Sequence, residues 1–546
     1  MYGLSLDKTS FSFDSSENEI QNDEITPIFG AVINDTENYY ILKQCLENYG
    51  INVYDSLSDI PIPEGSSVDD YKIKMDIPSQ EELQKTSEYT EKEKLEAMII
   101  LLLFGSAEAP HSMVYALDLR NASNLKEIST FSFAGTQINE IKYPDKLEKI
   151  GAYSFMSCQI SKLDLSSIPN LKEIGEYAFY GNNIVGPQVI SSSIKKIGDY
   201  AFTNNSITEL DLSNASSLEE LSGFNNNHIT SVDLSGAINL KKLGDYAFSS
   251  NQISGEIYIS PTIETVGHYA FDSNQITSLN LSEATNLKFL GGFGDNQLTT
   301  LDLSNATKIE TIDDRSFWHN NISGNIDLSN LTNLKEIEEY AFYGMNITGT
   351  IVINSKVEKI GYQSFQSNKI SSLDLSNANS LTTIDKYAFS GNEITGEVIF
   401  PSNVITINEY AFSGNEKMYA NINNATSLKT IGKYAFNHTS QPSSSADPII
   451  IQSNVETIGE RAFDYYSISG FSFAVFDLTQ AKSLKSIGYH GLGWPKVIDV
   501  STRTKEDFES NVTLDNNWYY MYSGNSFELK YSDVTCDYSG TCTANT

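Results

Sequence analysis

Cysteine is scarce, with four in 546 residues. Cys45 and Cys158 stand alone, while Cys536 and Cys542 in CDYSGTC are spaced for one small disulfide loop in an oxidising compartment. Histidine is scarcer relative to its chemistry: six residues, His111, His228, His268, His319, His438 and His490, scattered one to a stretch. None has metal-ligand spacing to a second His or Cys, so no zinc site is expected. Basic residues number 36 against 70 acidic ones, a net charge of −34, which excludes the phosphate backbone of nucleic acid as a partner. Long apolar runs are missing too. The longest, Ala97 to Phe104, falls far short of the ~18 residues a bilayer span needs. The opening MYGLSLDKTSFSFDSSENEI has no basic n-region and no apolar h-region, so no signal peptide is visible. There is no Walker A loop, dinucleotide fingerprint, G-x-S-x-G elbow or H-E-x-x-H. An enzyme, a cofactor and a metal are therefore not expected.

What the chain has in abundance is itself. IGEYAFYGNNI at Ile174 returns as IGDYAFTNNSI, LGDYAFSSNQI and IDKYAFSGNEI. The phenylalanine recurs at 133, 155, 179, 202, 224, 248, 271, 293, 317, 342, 365, 389, 412, 436 and 463, fifteen times at spacings of 22 to 27. Five residues before it stands Ile, Leu or Val, except where LSGF (Phe224) and LGGF (Phe293) drop two residues. Five residues after it stands Ile or Leu in thirteen turns, and three after it Asn in ten: Asn182, Asn205, Asn227, Asn251, Asn274, Asn296, Asn320, Asn368, Asn392 and Asn415. Cys158 takes that slot once.

Each turn goes on through an alternating stretch such as LDLS, which reads as a strand with one buried face. A SNATNLK-type connection and a second apolar pair lead back to the motif. One unit of this size encloses no core. Stacked at the ~4.8 Å strand spacing, like residues fall on like and form internal columns. The Ile, Leu and Phe columns fill the interior. The Asn amide is expected to satisfy backbone groups of its own turn and of the neighbouring coil. Gly before xYAF fits a bend that a Cβ would obstruct, and YAFxxN itself is expected to form a helical or 3-10 turn.

The pattern N-x-I-x-x-L-x-L…L-x-x-I-G-x-Y-A-F-x-x-N resembles the BspA-type (Treponema-type) leucine-rich repeat, over roughly Met113 to Val500. The resemblance implies an α/β repeat solenoid, a right-handed curved array with a concave parallel β-sheet and short turns. It also implies a surface or secreted protein of a bacterium or mucosal protist, used in adhesion or host-protein binding. Asn replaces the cysteine common at that family's turn.

Both ends fall outside the repeat. Residues 1–112 include SQEELQKTSEYTEKEKLEAMIILLLFG, helical in pattern with a Ser79/Glu82 capping box, and read as an N-terminal cap or an accessory domain. Residues 113–500 are the array. Residues 501–546 read as a C-terminal cap, with a short helix at TKEDFES and a hairpin around Ser523-Gly524-Asn525. The alternative there is an aromatic recognition patch of Trp518, Tyr519, Tyr520 and Tyr522.

The polar position between the two strand leucines is an aspartate at Asp118, Asp164, Asp211, Asp233, Asp302, Asp327, Asp374 and Asp477. One reading is a solvated position that keeps the sheet soluble. The other is an acidic partner-binding face that steers a basic surface. Carboxylates on separate coils are too far apart to share a calcium ion, whose oxygens must lie within ~2.6 Å of it. Sequons such as Asn214-Ala-Ser and Asn305-Ala-Thr arise from the repeat's own loop. The resulting expectation is a monomeric, non-enzymatic solenoid that binds a protein or other extracellular macromolecule. The alternative is a spacer that presents a terminal binding or anchoring domain.

Overall fold

The computed structural model describes residues 116–120, 125–440, 448–464, 474–515, 517, 528–537 and 541–545. The expected helix before residue 112, the Ser523 hairpin and the Trp518–Tyr522 patch lie outside these. The chain separates into two compact units, one ending at Val185 and one beginning at Gly186.

In both units the persistent element is a two-residue strand that ends on the apolar residue opening the motif, five before its phenylalanine except in the two shortened coils, and it recurs twice beyond the last motif at Ser486–Ile487 and Thr513–Leu514. In the first unit, Glu127–Ile128, Lys149–Ile150 and Glu173–Ile174 pair in parallel. In the second, fourteen such strands follow one another from Lys196–Ile197 to Thr513–Leu514, residue matched to residue. Each strand pairs only with the coil before and the coil after, so the ladder is open, not a closed barrel. The array is thus a parallel β-solenoid. Its helical content among the described residues is one 3-10 turn at Leu165–Ser167 and one helix at Lys505–Asn511.

Register in the ladder puts like over like inside. Phe133, Phe155 and Phe179 stack at 5.2 and 5.4 Å in the first unit. In the second, the rings from Phe202 to Phe463 form a file of twelve with centroids 4.8 to 6.3 Å apart. None is more than 1% exposed, so each ring carries ~3–5 kcal/mol against truncation to alanine. Gly175 shows why the motif needs its glycine: a Cβ there would sit 2.5 Å from the backbone nitrogen of Ala152 on the preceding coil.

The asparagine column does what its position implies. Asn251 Nδ2 donates to the carbonyls of Phe224 (2.9 Å) and Phe248 (3.0 Å), and its Oδ1 accepts from Ile229 N–H (3.0 Å). Asn274, Asn296, Asn320, Asn368 and Asn392 repeat this set. Each amide therefore sews two coils together where turn backbone would otherwise be buried unpaired. Cys158 keeps one such bond, Sγ to the Phe133 carbonyl at 3.1 Å.

Two expectations fail. The YAFxxN segment is neither helical nor 3-10: the tyrosine sits in the left-handed region, with φ between 53° and 57° at Tyr153, Tyr177, Tyr200, Tyr246, Tyr269, Tyr340, Tyr387, Tyr410 and Tyr434. A helix would turn every N–H back into its own coil. Here alternate residues donate onward, as Tyr153, Phe155 and Ser157 do to the carbonyls of Glu176, Ala178 and Tyr180 at 2.7–2.8 Å. The left-handed residue makes that alternation possible. Second, while Ile449–Ile450, Ala474–Asp477 and Pro495–Val500 join one larger parallel sheet, before residue 440 the LDLS stretches pair only two by two, such as Thr350–Val352 with Ser372–Asp374. Coils of unequal length meet there, and glycines such as Gly255 (φ 83°) mark bulges where the register slips.

Past residue 500 the chain adds further strands to the stack. Thr504 caps the helix Lys505–Asn511 through its Oγ1, which accepts from Asp507 N–H. Glu528–Tyr531 adds in parallel to Pro495–Val500, and Val534–Cys536 with Cys542–Ala544 closes the sheet in antiparallel. Cys536 and Cys542 are joined as a disulfide.

Candidate interaction surfaces

The strand aspartates are less free than the sequence implies. Asp164, Asp211, Asp233, Asp302, Asp327, Asp374 and Asp477 each accept, through Oδ1, the backbone N–H two residues on, at 2.8–3.0 Å. This is an Asx turn that starts the following loop. Asn280 and Asn421 make the same bond in coils without the aspartate. The hydrogen bonds to Ser213 and Ser304 hold the Asp211 and Asp302 carboxyls below the usual carboxylate range. The Asp-x-Ser/Thr spacing of this turn is written in the sequence, overlaid on the alternating leucines of the strand. Nor do the aspartates form one unbroken file. In register, Asp118 lies beside Lys142 in the first unit, and Asp374 beside Val352 in the second.

Charge on this face is nevertheless one-sided. The nine strand stretches between residues 206 and 400 carry Glu209, Asp211, Asp233, Glu256, Asp302, Asp327, Asp374 and Glu397, and no Lys, Arg or His. Six of the eight are exposed, and Asp211 and Asp374 are half-buried. The persistent ladder differs sharply. There Lys196–Glu220, Lys241–Glu219, Lys288–Glu264, Lys335–Glu310 and Lys359–Glu338 pair across coils at 2.6–3.6 Å. Hydrogen bonds from Lys288 and Lys335 lower the Glu264 and Glu310 carboxyls. Exposed pairs of this kind are screened by solvent and contribute little to stability. Their larger effect is to neutralise one surface and leave the other anionic.

A third column escaped the sequence reading. The motif tyrosines, half-buried, stack along the outside: Tyr387, Tyr410 and Tyr434 at 4.7 and 4.6 Å, and Tyr246 and Tyr269 at 5.1 Å. Arg315 lies over Tyr340 at 4.9 Å, and Arg461 over both Tyr434 and Tyr489. The repeated Tyr-Ala-Phe does not announce it, because i and i+2 share a face in an extended chain; here the tyrosine has a left-handed φ, and Tyr and Phe lie on opposite sides of the coil wall. The shortened coils lack the tyrosine, and across the one at Phe224 the column closes up, with Tyr200 6.0 Å from Tyr246. At Phe293 the gap is bridged by Tyr269 Oη, which donates to Asp314 Oδ2 (2.9 Å) and accepts from Arg315 Nη1 (2.7 Å).

Reactive chemistry is sparse. Among the described residues no three His, Cys, Asp or Glu side chains are grouped to hold a metal ion. Burial pushes the Cys158 thiol up to about 12, so it is no nucleophile at neutral pH. Among the described residues no helix is long and apolar enough to cross a membrane.

Stacked parallel coils with leucine and isoleucine columns define a leucine-rich-repeat solenoid, a fold typical of protein-binding modules. The family described as the BspA type leucine rich repeat region, in six copies, matches residues 116–222, 172–291, 291–418 and 369–487, and the chain belongs to it. No curated protein matches it in sequence. Among solved structures it is similar to the functional domain of InlJ from Listeria monocytogenes, which includes a cysteine ladder. That domain is 18% identical over 66% of this chain and 76% of its own, with a TM-score of 0.40. A leucine-rich repeat protein from Bacteroides ovatus is 17% identical over 74% of this chain and 94% of its own, with a TM-score of 0.35. The pneumococcal vaccine antigen PcpA is 17% identical over 73% and 85%, with a TM-score of 0.29.

Proposed function

We propose that this chain is a non-enzymatic, monomeric protein-binding solenoid acting as an adhesin at a cell surface or in the extracellular space. Its contact face is the strand face of residues 206–400, and its partner surface is basic. One observation carries the reading. Eight carboxylates face outward there without a cation among them, while the carboxylates of the persistent ladder are paired with lysines. An anionic face beside a neutralised one steers a cationic partner to a single side of the array. The tyrosine column supplies rigid aromatic area at its own edge, a residue type favoured at binding hot spots.

The test uses the full chain with Asp211, Asp233, Asp302, Asp327 and Asp374 changed together to Asn. Asn280 and Asn421 already make the Asx turn with an amide, so the fold is retained while five charges go. Capture of host cell-surface and matrix proteins is measured at low and at physiological salt. Slower association and a flatter salt dependence are expected. Unchanged binding with unchanged salt dependence would rule the acidic face out. If binding then follows residues 1–112 or the tail alone, the array is a spacer.

A further inference from the structure

Side-chain contacts in the second unit join neighbouring coils as a rule, but at the two shortened coils they reach over a whole coil: Tyr200 meets Tyr246 across Leu221–Phe224 at 6.0 Å, and a charged set spans Leu290–Phe293. The cause is the deletion. Leu290-Gly291-Gly292-Phe293 lacks the x-Tyr of the motif, and Gly294 follows, so this coil presents almost no side chain. The flanking coils fill the space. Asp313, standing where most coils have the motif glycine, turns its carboxylate in above Gly291, with Oδ2 2.8 Å from where a Gly291 Cβ would lie. Asp272, from the coil before, brings Oδ1 within 2.4 Å of the corresponding point on Gly294. The Asp313 side chain is only 4% exposed, and the Nδ1 of His268, two coils away, lies 2.6 Å from Oδ2. Among the described residues no hydrogen-bond donor is aligned on that oxygen, so the imidazole is what offsets its charge. Beside this pair runs the Tyr269–Asp314–Arg315 cluster, which spans the same coil.

We propose that this shortened coil is a weak rung of the array and that its opening is governed by a proton-dependent brace, the His268–Asp313 pair. A proton taken up by Asp313 cancels the buried negative charge beside the imidazole. Opening returns Asp313 to water and separates it from His268.

The other charged groups around the pair leave the sign unchanged. Asp314, adjacent to Asp313, is held by Arg315 at 2.7 Å, and Glu338 on the following coil is held by Lys359 at 3.2 Å. Glu339 meets this coil through its carbonyl, which accepts from Arg315 N–H. Asp245 accepts the His268 backbone N–H, and Asp295 pairs with His319. The short coil contributes no titratable group between Leu290 and Gly294. Burial pushes the Asp313 carboxyl up to about 6, above the ~3.9 of a solvated aspartate. The closed form therefore binds the proton more tightly than the open form, and closure strengthens as pH falls. Between pH 7.5 and 5.5 the opening equilibrium should fall about fourfold. Asp272, pushed up by burial as well, acts in the same direction.

Hydrogen exchange of the intact chain at the two pH values, corrected for intrinsic exchange rates, reads this directly. Peptides over 286–300 should open about fourfold less at pH 5.5, while those over 380–400 should show no such ratio. Asp313→Asn should flatten the ratio. His268→Gln, at a half-exposed position, should steepen it, because the imidazole no longer favours the carboxylate; this variant decides the matter if Asp313→Asn fails to fold. Equal opening of wild type at both pH values, a ratio that Asp313→Asn does not reduce, or one that His268→Gln leaves unaltered would overturn the brace.

Discussion

Replacing Asn251 by alanine tests the physical basis of the whole stack. The side chain is 8% exposed and ties three backbone groups on two coils. The carbonyls of Phe224 and Phe248 each keep a second amide donor, from Asn227 and Asn274. Ile229 N–H keeps nothing comparable, because Asn251 Oδ1 is its bonded acceptor. An orphaned buried donor costs ~1–3 kcal/mol, and two lost bonds whose acceptors stay paired cost ~0.5–1.5 kcal/mol each, so the variant should lose about 2–6 kcal/mol. Two natural substitutions calibrate the estimate. Thr439 and Cys158 occupy the same slot and each keep a bond to a phenylalanine carbonyl, at 2.8 and 3.1 Å. Asn251→Thr should therefore cost ~1–2 kcal/mol less than Asn251→Ala. Solenoid stability is a sum over coils and their interfaces, so a single global midpoint is a poor readout. Hydrogen exchange at Ile229 and in the adjoining coils, with guanidinium titration alongside, is the appropriate assay. If alanine costs under ~1 kcal/mol, or if alanine and threonine cost the same, the asparagine column is filler and not a seam.

Three further outcomes follow from other columns. Asp302→Asn should shift stability by less than about 0.5 kcal/mol at pH 7, since the Asx turn survives. Because the Asp302 carboxyl is held below its usual range, its contribution is present above pH ~4 and lost as pH falls through the folded value, a loss the Asn variant should lack in an acid titration. Gly292→Ala should destabilise by more than about 2 kcal/mol in denaturant, as Gly292 has φ 76° and a Cβ would lie 2.1 Å from Ala270 N. Reducing the Cys536–Cys542 bridge, with a sequence separation of 6, should cost the terminal hairpin about 2 kcal/mol. That loss should be visible as faster exchange at Thr535 and Thr543 with the coils before residue 464 unaffected.

The repeat made the core legible to an unusual depth. A column that must be refilled every 22 to 27 residues tolerates little variation, so Phe179, Ile174 and Asn182 announced their burial and the asparagine its hydrogen bonds. Backbone conformation was less legible. Tyr177 carries no mark of a left-handed φ, because the requirement comes from the neighbouring coil that must receive alternate N–H groups, not from the tyrosine. Surfaces were legible only in part. Asp302 was visible as a charge, but its bond to Ser304 N–H is a loop function that strand periodicity hides. Lys335 and Glu310 are 25 residues apart, and their pairing appears only once the coil length is known. The stacked tyrosines needed the geometry outright.

Register explains why a chain with so many acidic residues folds into stacked coils at all. Stacking identical units places identical charges at the strand spacing of ~4.8 Å, where like carboxylates repel. On the persistent ladder the chain avoids this by alternating lysine and glutamate between coils, as Lys241, Glu264, Lys288, Glu310 and Lys335 do at one repeat position. On the strand face it uses a different device. Tyr258, Asn280, Val352 and Ile399 interrupt the aspartates, and each aspartate turns one oxygen into its own loop. That spacing lowers repulsion without importing a cation, which leaves the strand face anionic. A cation on that face would have removed the repulsion just as well. Its absence over nine consecutive coils is the feature that stability alone does not require.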